Sequence, residues 1–248
     1  MKRAWRFIAL GIAVYIPVLL LTLPVERLTG AVTRQIDGLQ IGAVSGSVFA
    51  GEAGSLAYQG EELGPVGWRF SPTGLLRGRL EYLLDLRNPD YRGAGRVGLG
   101  LNGVLVGHAF DLQLQADRLI NTFTPVAISS SGQLRLQLDR FTLERGQARD
   151  VTGVLEWAAA ELRSPVQLPL GDISCAIENR EQDLVARVTQ GGALGVAGDI
   201  TLGPDGRYTI RLLLQPGPEV APATTGLLEA MLRRQPDGKF LINSTGRI

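Results

Sequence analysis

Residues 132–144 read GQLRLQLDRFTLE. Leu134, Leu136 and Leu138 occupy every second position, with Gln133, Arg135, Gln137 and Asp139 around and between them. A period of two puts the leucines on one side of an extended chain and the polar residues on the other. An amphipathic helix needs apolar residues three and four apart, and that spacing is missing here. One dry face and one wet face fit an antiparallel sheet, because strands of a buried parallel sheet are apolar throughout.

The pattern spreads in both directions. Residues 111–117 (DLQLQAD) set Leu112, Leu114 and Ala116 on one side. The runs RVGLGLNGVLV (96–106), VTGVLEWAA (151–159), DISCAIE (172–178), DLVARVT (183–189), LGVAGDITL (194–202) and RYTIRLLL (207–214) alternate as well. Pro204-Asp205-Gly206 is a hairpin signal, and Asn88-Pro89-Asp90 is a turn signal. Upstream, residues 39–60 form short alternating groups, expected as strands of about four to six residues, punctuated by glycines at 42, 46, 51, 54 and 60. Glu61-Glu62 is expected as a polar turn. In residues 63–87 (LGPVGWRFSPTGLLRGRLEYLLDLR), Trp68 and Phe70 flank Arg69, Ser71-Pro72-Thr73-Gly74 breaks the run, and Leu80, Tyr82, Leu84 and Leu86 share a side. Glycine supplies 32 of the 248 residues. That suits bulged, tightly turned strands and not helices, where each glycine costs about 1 kcal/mol relative to alanine.

Two segments read differently. Residues 223–235 (ATTGLLEAMLRRQ) place Leu227, Leu228, Met231 and Leu232 on one side of a short amphipathic helix, after the proline-rich connector 216–222. Pro236-Asp237-Gly238 stops it, and residues 239–248 are expected as a last strand. At the other end, residues 7–23 (FIALGIAVYIPVLLLTL) contain no charge and follow Lys2, Arg3 and Arg6. A run of this length just spans a bilayer core, and the basic cluster keeps the N-terminus cytoplasmic. A cleaved signal peptide is the alternative, but residues 21–27 (LTLPVER) offer no small-residue cleavage site, leaving only Thr29-Gly30-Ala31 as a late candidate. The expected organisation is a cytoplasmic tail (1–6), a transmembrane helix (7–23), a juxtamembrane helix (24–38) carrying Val25, Leu28, Val32 and Ile36 on one face, and a β-rich domain outside the cytoplasm (39–248). The expected fold is mainly β: a curved antiparallel meander of roughly ten to twelve strands with a short C-terminal helix.

Charge excludes several function classes. The chain has 25 basic and 24 acidic residues, and Lys2, Arg3 and Arg6 precede the apolar run, so the exported body is slightly acidic. No basic face is implied, so no nucleic-acid partner is expected. The only cysteine, Cys175, rules out an intrachain disulfide and reads as a buried structural thiol, since a reactive one would want a nearby histidine. The only histidine, His108, cannot by itself supply a zinc site or a triad. Gly95, Gly98 and Gly100 form no phosphate cradle, because no helix follows them. Glu61-Glu62 reads as solvated, and Asp150, Glu156 and Asp172 are scattered. Asn243-Ser244-Thr245 matches a glycosylation sequon, a pattern that occurs often by chance and that a bacterial setting would make irrelevant. No catalytic, cofactor-binding or metal-binding residue is assigned, no cofactor is expected, and the chain does not read as an enzyme.

The overall layout resembles a known family. An N-terminal anchor, residues 45–51 (SGSVFAG), residues 63–80 (LGPVGWRFSPTGLLRGRL) and a late PDGRY strand (204–208) are arranged as in type II secretion system protein N, also called general secretion pathway protein N. The resemblance implies an accessory inner-membrane component of the machine that exports folded proteins across the outer membrane. It implies a single-pass protein with a periplasmic body, and as partners the inner-membrane platform and secretin-associated proteins of that system. The family is also distantly similar to AsmA-like envelope proteins, which implies an alternative: a periplasmic sheet that binds a lipid or another hydrophobic ligand. The first alternative leaves an exposed sheet edge free to pair with a partner's strand. The second needs an uncovered apolar face.

Overall fold

The computed structural model describes residues 39–247 apart from 59–60, 89–90, 101, 118–128, 145–146, 165–166, 218–219, 221–224, 227 and 230–231. The expected tail, transmembrane helix and juxtamembrane helix (1–6, 7–23 and 24–38) lie outside the described residues. Among the described residues, no helix is long and apolar enough to cross a membrane. The strands fall into two compact units, Met1–Pro89 and Asp90–Ile248.

The first unit contains β1 (Leu39–Ile41), β2 (Val44–Gly46), β3 (Ala50–Tyr58), β4 (Glu61–Ser71) and β5 (Arg79–Arg87). Its ladder runs β1-β3-β4-β5, with β2 also on β3, and every pair is antiparallel. Register partners share a face, so Val66, Trp68 and Phe70 stand with Leu86, Leu84 and Tyr82. This is the alternation read from residues 63–87. Phe70 meets Phe49 edge to face at 5.1 Å and Tyr82 at 5.6 Å, and the Trp68 indole N–H donates to the Ser47 carbonyl at 3.0 Å. The opposite face carries Glu52, Gly67 and Asp85 in one row and Arg69 and Leu83 in the next.

Two expectations change here. Glu61 and Glu62 are not a turn: they pair with Tyr58 and Ala57 as the first residues of β4, so the chain reverses one step earlier. The break expected after Ser71 takes a helical form. Residues Pro72–Arg77 wind into a 3-10 helix, with Pro72 opening it and Gly78 in the left-handed region closing it.

The second unit is a meander of long strands: β6 (Tyr91–Gly100), β7 (Leu105–Gln115), β8 (Ser129–Glu144), β9 (Gln147–Ser164), β10 (Leu168–Arg180), β11 (Asp183–Gly191), β12 (Ala197–Leu202), β13 (Arg207–Leu214), β14 (Arg233–Arg234) and β15 (Phe240–Arg247). Neighbours in sequence are neighbours in the sheet, except that β15 pairs with β13 and β14 lies outside β15. The described residues hold fifteen strands, more than the roughly ten to twelve expected. Three of the extra strands, β1, β2 and β14, are two or three residues long and too short to show a period. The expected short helix is present in part: residues 225–226 and 228–229 are helical, and the Leu232 N–H donates to the Leu228 carbonyl at 2.8 Å. Arg233 and Arg234, read as the end of that helix, form β14 instead. The run 194–202 becomes a strand only at Ala197, after a turn at residues 192–195.

Bulges keep the long strands on one face. In β7 the apolar side is Leu105 and Gly107 before Ala109, and Phe110, Leu112 and Leu114 after it. Ala109 has φ 48°, and the extra residue re-aims every side chain that follows. β8 switches in the same way between Leu138 and Arg140, so Phe141 rejoins the leucine side. The Phe141 ring then lies over Gly107, where a Cβ would fall 2.0 Å from the ring.

The core lies at the C-terminal end. Ala160, Leu168, Leu170, Leu194, Leu214, Leu228 and Phe240 are buried together, with Trp157, Ile173, Val220, Leu232 and Ile242 packed on them. Leu228 and Leu232 come from the helical segment, which therefore covers this end of the sheet.

Candidate interaction surface

One face of the second unit is apolar across most of its strands. Register links Phe110 of β7 to Leu138, Gly153, Ile177, Ala186, Ile200 and finally Ile210 of β13. A second row runs Leu112, Leu136, Leu155, Cys175 and Val188, and a third runs Leu114, Leu134, Trp157 and Ile173. Neighbouring strands are about 4.8 Å apart, so the longest row extends for about 29 Å. The third row feeds into the buried core, while Ile200 on the longest row is exposed. Cys175 sits in the middle row as a buried thiol, and burial pushes its pKa up. In the folded chain at pH 8 a water-soluble disulfide reagent is expected to leave it unmodified, and in denaturant one thiol per chain is expected to react. Fast native labelling would place Cys175 at the surface.

The opposite face is polar. Arg135 grips Asp111 through two hydrogen bonds, Nε to Oδ1 at 3.2 Å and Nη2 to Oδ2 at 2.6 Å. The guanidinium holds the Asp111 carboxyl below the usual carboxylate range. Exposed pairs of this kind contribute at most about 1 kcal/mol, so they decorate the wet face and do not hold the fold.

The carboxylates singled out in the sequence have structural places. β9 bulges twice, at Asp150 (φ 52°) and Ala159 (φ 48°), and each bulge leaves a backbone N–H without a ladder partner. Both are satisfied by side chains of β10. Asp172 Oδ1 accepts from the Ala159 N–H at 2.8 Å, and Asn179 Oδ1 accepts from the Val151 N–H at 2.6 Å. Glu156 lies between Arg135 and Ser174 in register, away from both bulges. Asp172→Ala is therefore expected to destabilise the chain by about 0.5–1.5 kcal/mol in urea melts, since the bond is exposed, and Asp172→Asn, which keeps an acceptor, by clearly less. Equal losses for both would remove the capping role.

His108 is on β7, with Arg96 and Arg140 as register neighbours. Gly95, Gly98 and Gly100 lie within β6. Among the described residues, no three histidine, cysteine or carboxylate side chains gather where they could hold a metal ion. What the geometry offers is surface: the apolar rows, their polar reverse, and an edge. β14 pairs only with Phe240 and Leu241, so among the described residues no strand covers the outer side of β15 from Ile242 onward.

The sequence profile of the family described as Type II secretion system (T2SS), protein N matches residues 37–243, spanning both units. The chain belongs to the type II secretion system protein N family. Its relatives named Type II secretion system protein N include one from Aeromonas hydrophila, 29% identical over the whole of both chains, and one from Klebsiella pneumoniae, 31% identical over 90% of this chain and 87% of the relative. A third, from Vibrio cholerae serotype O1, is 27% identical over 86% of each. No solved structure matches the chain. The names of these relatives refer to a secretion apparatus.

The sequence did not reveal the tip made by the 3-10 helix. Leu75 and Leu76, between the break after Ser71 and the next strand, are 55% and 91% exposed. The available signal was a proline and two glycines bracketing a leucine pair.

Proposed function

We propose that this protein is an accessory component of a type II secretion system, held in the inner membrane by residues 7–23, with its β-rich body in the periplasm as an interaction module. The observation that carries the reading is the protein N family match over residues 37–243, which takes in nearly the whole β body. The printed names of the relatives support a place in the secretion apparatus. The uncharged run after Lys2, Arg3 and Arg6 supports the anchor. The outer side of β15, which no strand covers from Ile242 onward among the described residues, supports partner pairing by strand addition.

Secretion in cells lacking the chain tests this. Type II substrates are expected to leave the periplasm more slowly, and the full chain is expected to restore the rate where a version without residues 1–38 does not. Unchanged secretion in the deletion strain would overturn the reading.

A second reading is favoured by one observation: the apolar rows running about 29 Å across seven strands. On that reading the face holds an acyl chain or a comparable apolar ligand. Lipid retained in stoichiometric amount by the purified full chain, above that held by residues 1–38 alone, would support it.

A further inference from the structure

The tip of the first unit is a built apolar projection. Leu76 is 91% exposed, Leu75 55% and Leu80 45%. Scattered exposed leucines need no explanation, but three within six residues on a rigid support do. The support is tight: a Cβ on Gly74 would lie 2.5 Å from the Glu81 Cβ, and Glu81 itself is 2% exposed beneath the 3-10 helix. The helix therefore presses on the face of β5 that carries Glu81, Leu83 and Asp85. That same face holds a pocket of about 400 Å³, whose lining includes Glu52, Arg69, Leu83, Asp85 and Arg87, two carboxylates beside two guanidinium groups.

Charge gives the tip and pocket a direction. Asp85 is tied to the Arg87 guanidinium, Nε to Oδ2 at 2.9 Å. Neither Arg69 nor Arg77 has an ion-pair partner among the described residues. Among the described residues, two cations without ion pairs, Arg69 and Arg77, thus stand against one such carboxylate, Glu52, and a net positive charge remains beside the apolar projection.

We infer that this face of β4 and β5, with the 3-10 helix, docks an acidic segment of another protein: apolar side chains against Leu75, Leu76 and Leu83, carboxylates on Arg69 and Arg77. The inference rests on the proposed role as an interaction module and names the partner's chemistry. A lipid surface fits less well. The chain enters the unit at Leu39, which pairs with Tyr58 at the Glu61 end of β4, whereas the 3-10 helix follows Ser71 at the other end. Ten residues of strand separate them by about 33 Å, so the tip stands away from the end that leads to residues 7–23.

The test places a photoreactive phenylalanine analogue at position 76 of the full chain in cells that secrete. The expected result is one protein adduct, a secretion-system component, with the crosslink mapped to a segment rich in aspartate and glutamate. Arg69→Glu with Arg77→Glu is expected to lower its yield tenfold or more, since like charges now face each other. Leu76→Asp, made without the analogue, is expected to slow secretion, with thermal unfolding unchanged in both variants. Adducts with phospholipid only, adducts indifferent to the arginine reversal, or no adduct in a strain whose secretion still depends on the chain would each overturn the inference and leave the proposed function standing. Unchanged secretion on deletion would instead remove the function itself.

Discussion

Phe240→Ala is expected to lower the stability of the second unit by about 3–5 kcal/mol, the usual cost of removing a fully buried aromatic side chain. Phe240 is 1% exposed and sits among Leu194, Leu214 and Leu228, which come from a turn, a strand and the helical segment. Its ring also lies under the Arg234 guanidinium, 6.0 Å from the centroid. Removing the ring opens a cavity where three connections meet, and none of them can collapse alone. Urea unfolding followed by circular dichroism measures the effect. Phe240→Leu, which refills most of the volume, should recover a large part of the loss. A loss below about 1 kcal/mol for the alanine variant would move the core elsewhere.

Gly198→Ala is expected to cost about 2–5 kcal/mol although it adds a single methyl group. Gly198 has φ 133°, a conformation that side chains bearing a Cβ rarely adopt, and a Cβ there would lie 2.0 Å from the Arg211 carbonyl oxygen. That oxygen belongs to β13, paired with β12 over six residues, so it cannot retreat without disturbing the ladder. Ala197→Gly next door is the control, with an expected change of about 1 kcal/mol or less. Matching losses at both positions would show that the backbone conformation at 198 is not what the site requires.

These two sites mark where sequence reading stops. Alternation in 132–144 was legible because hydrophobic burial acts on each residue separately, and a period of two survives in the sequence. The faces within 63–87 followed from Trp68, Phe70 and Arg69 for the same reason. The shift of phase at Ala109 and between Leu138 and Arg140 was not legible, since a bulge is set by both strands of a pair and leaves no local signature in either. Asp172 looked like a scattered carboxylate because the N–H it satisfies lies on the neighbouring strand. Strands of two or three residues contain too few side chains to reveal a period. The helix expected at 223–235 is present in part, at residues 225–226 and 228–229, while Arg233 and Arg234 pair with β15. The Pro72–Gly78 segment looked like a break because proline and glycine end strands whatever follows them.

The exposed features are the ones that lead toward function. Among the described residues, the exposed leucines of the 3-10 helix, Arg69 and Arg77 without ion pairs, and the uncovered side of β15 contribute nothing evident to stability, while the buried cluster around Phe240 does.

The most direct measurement is chemical crosslinking in whole secreting cells, followed by affinity purification of the full chain in detergent and identification of what is bound to its periplasmic body. Polypeptides of the type II secretion apparatus, captured in discrete adducts, are the expected result. Lipid as the sole crosslinked species, or recovery of the chain alone from the soluble cell contents, would contradict it.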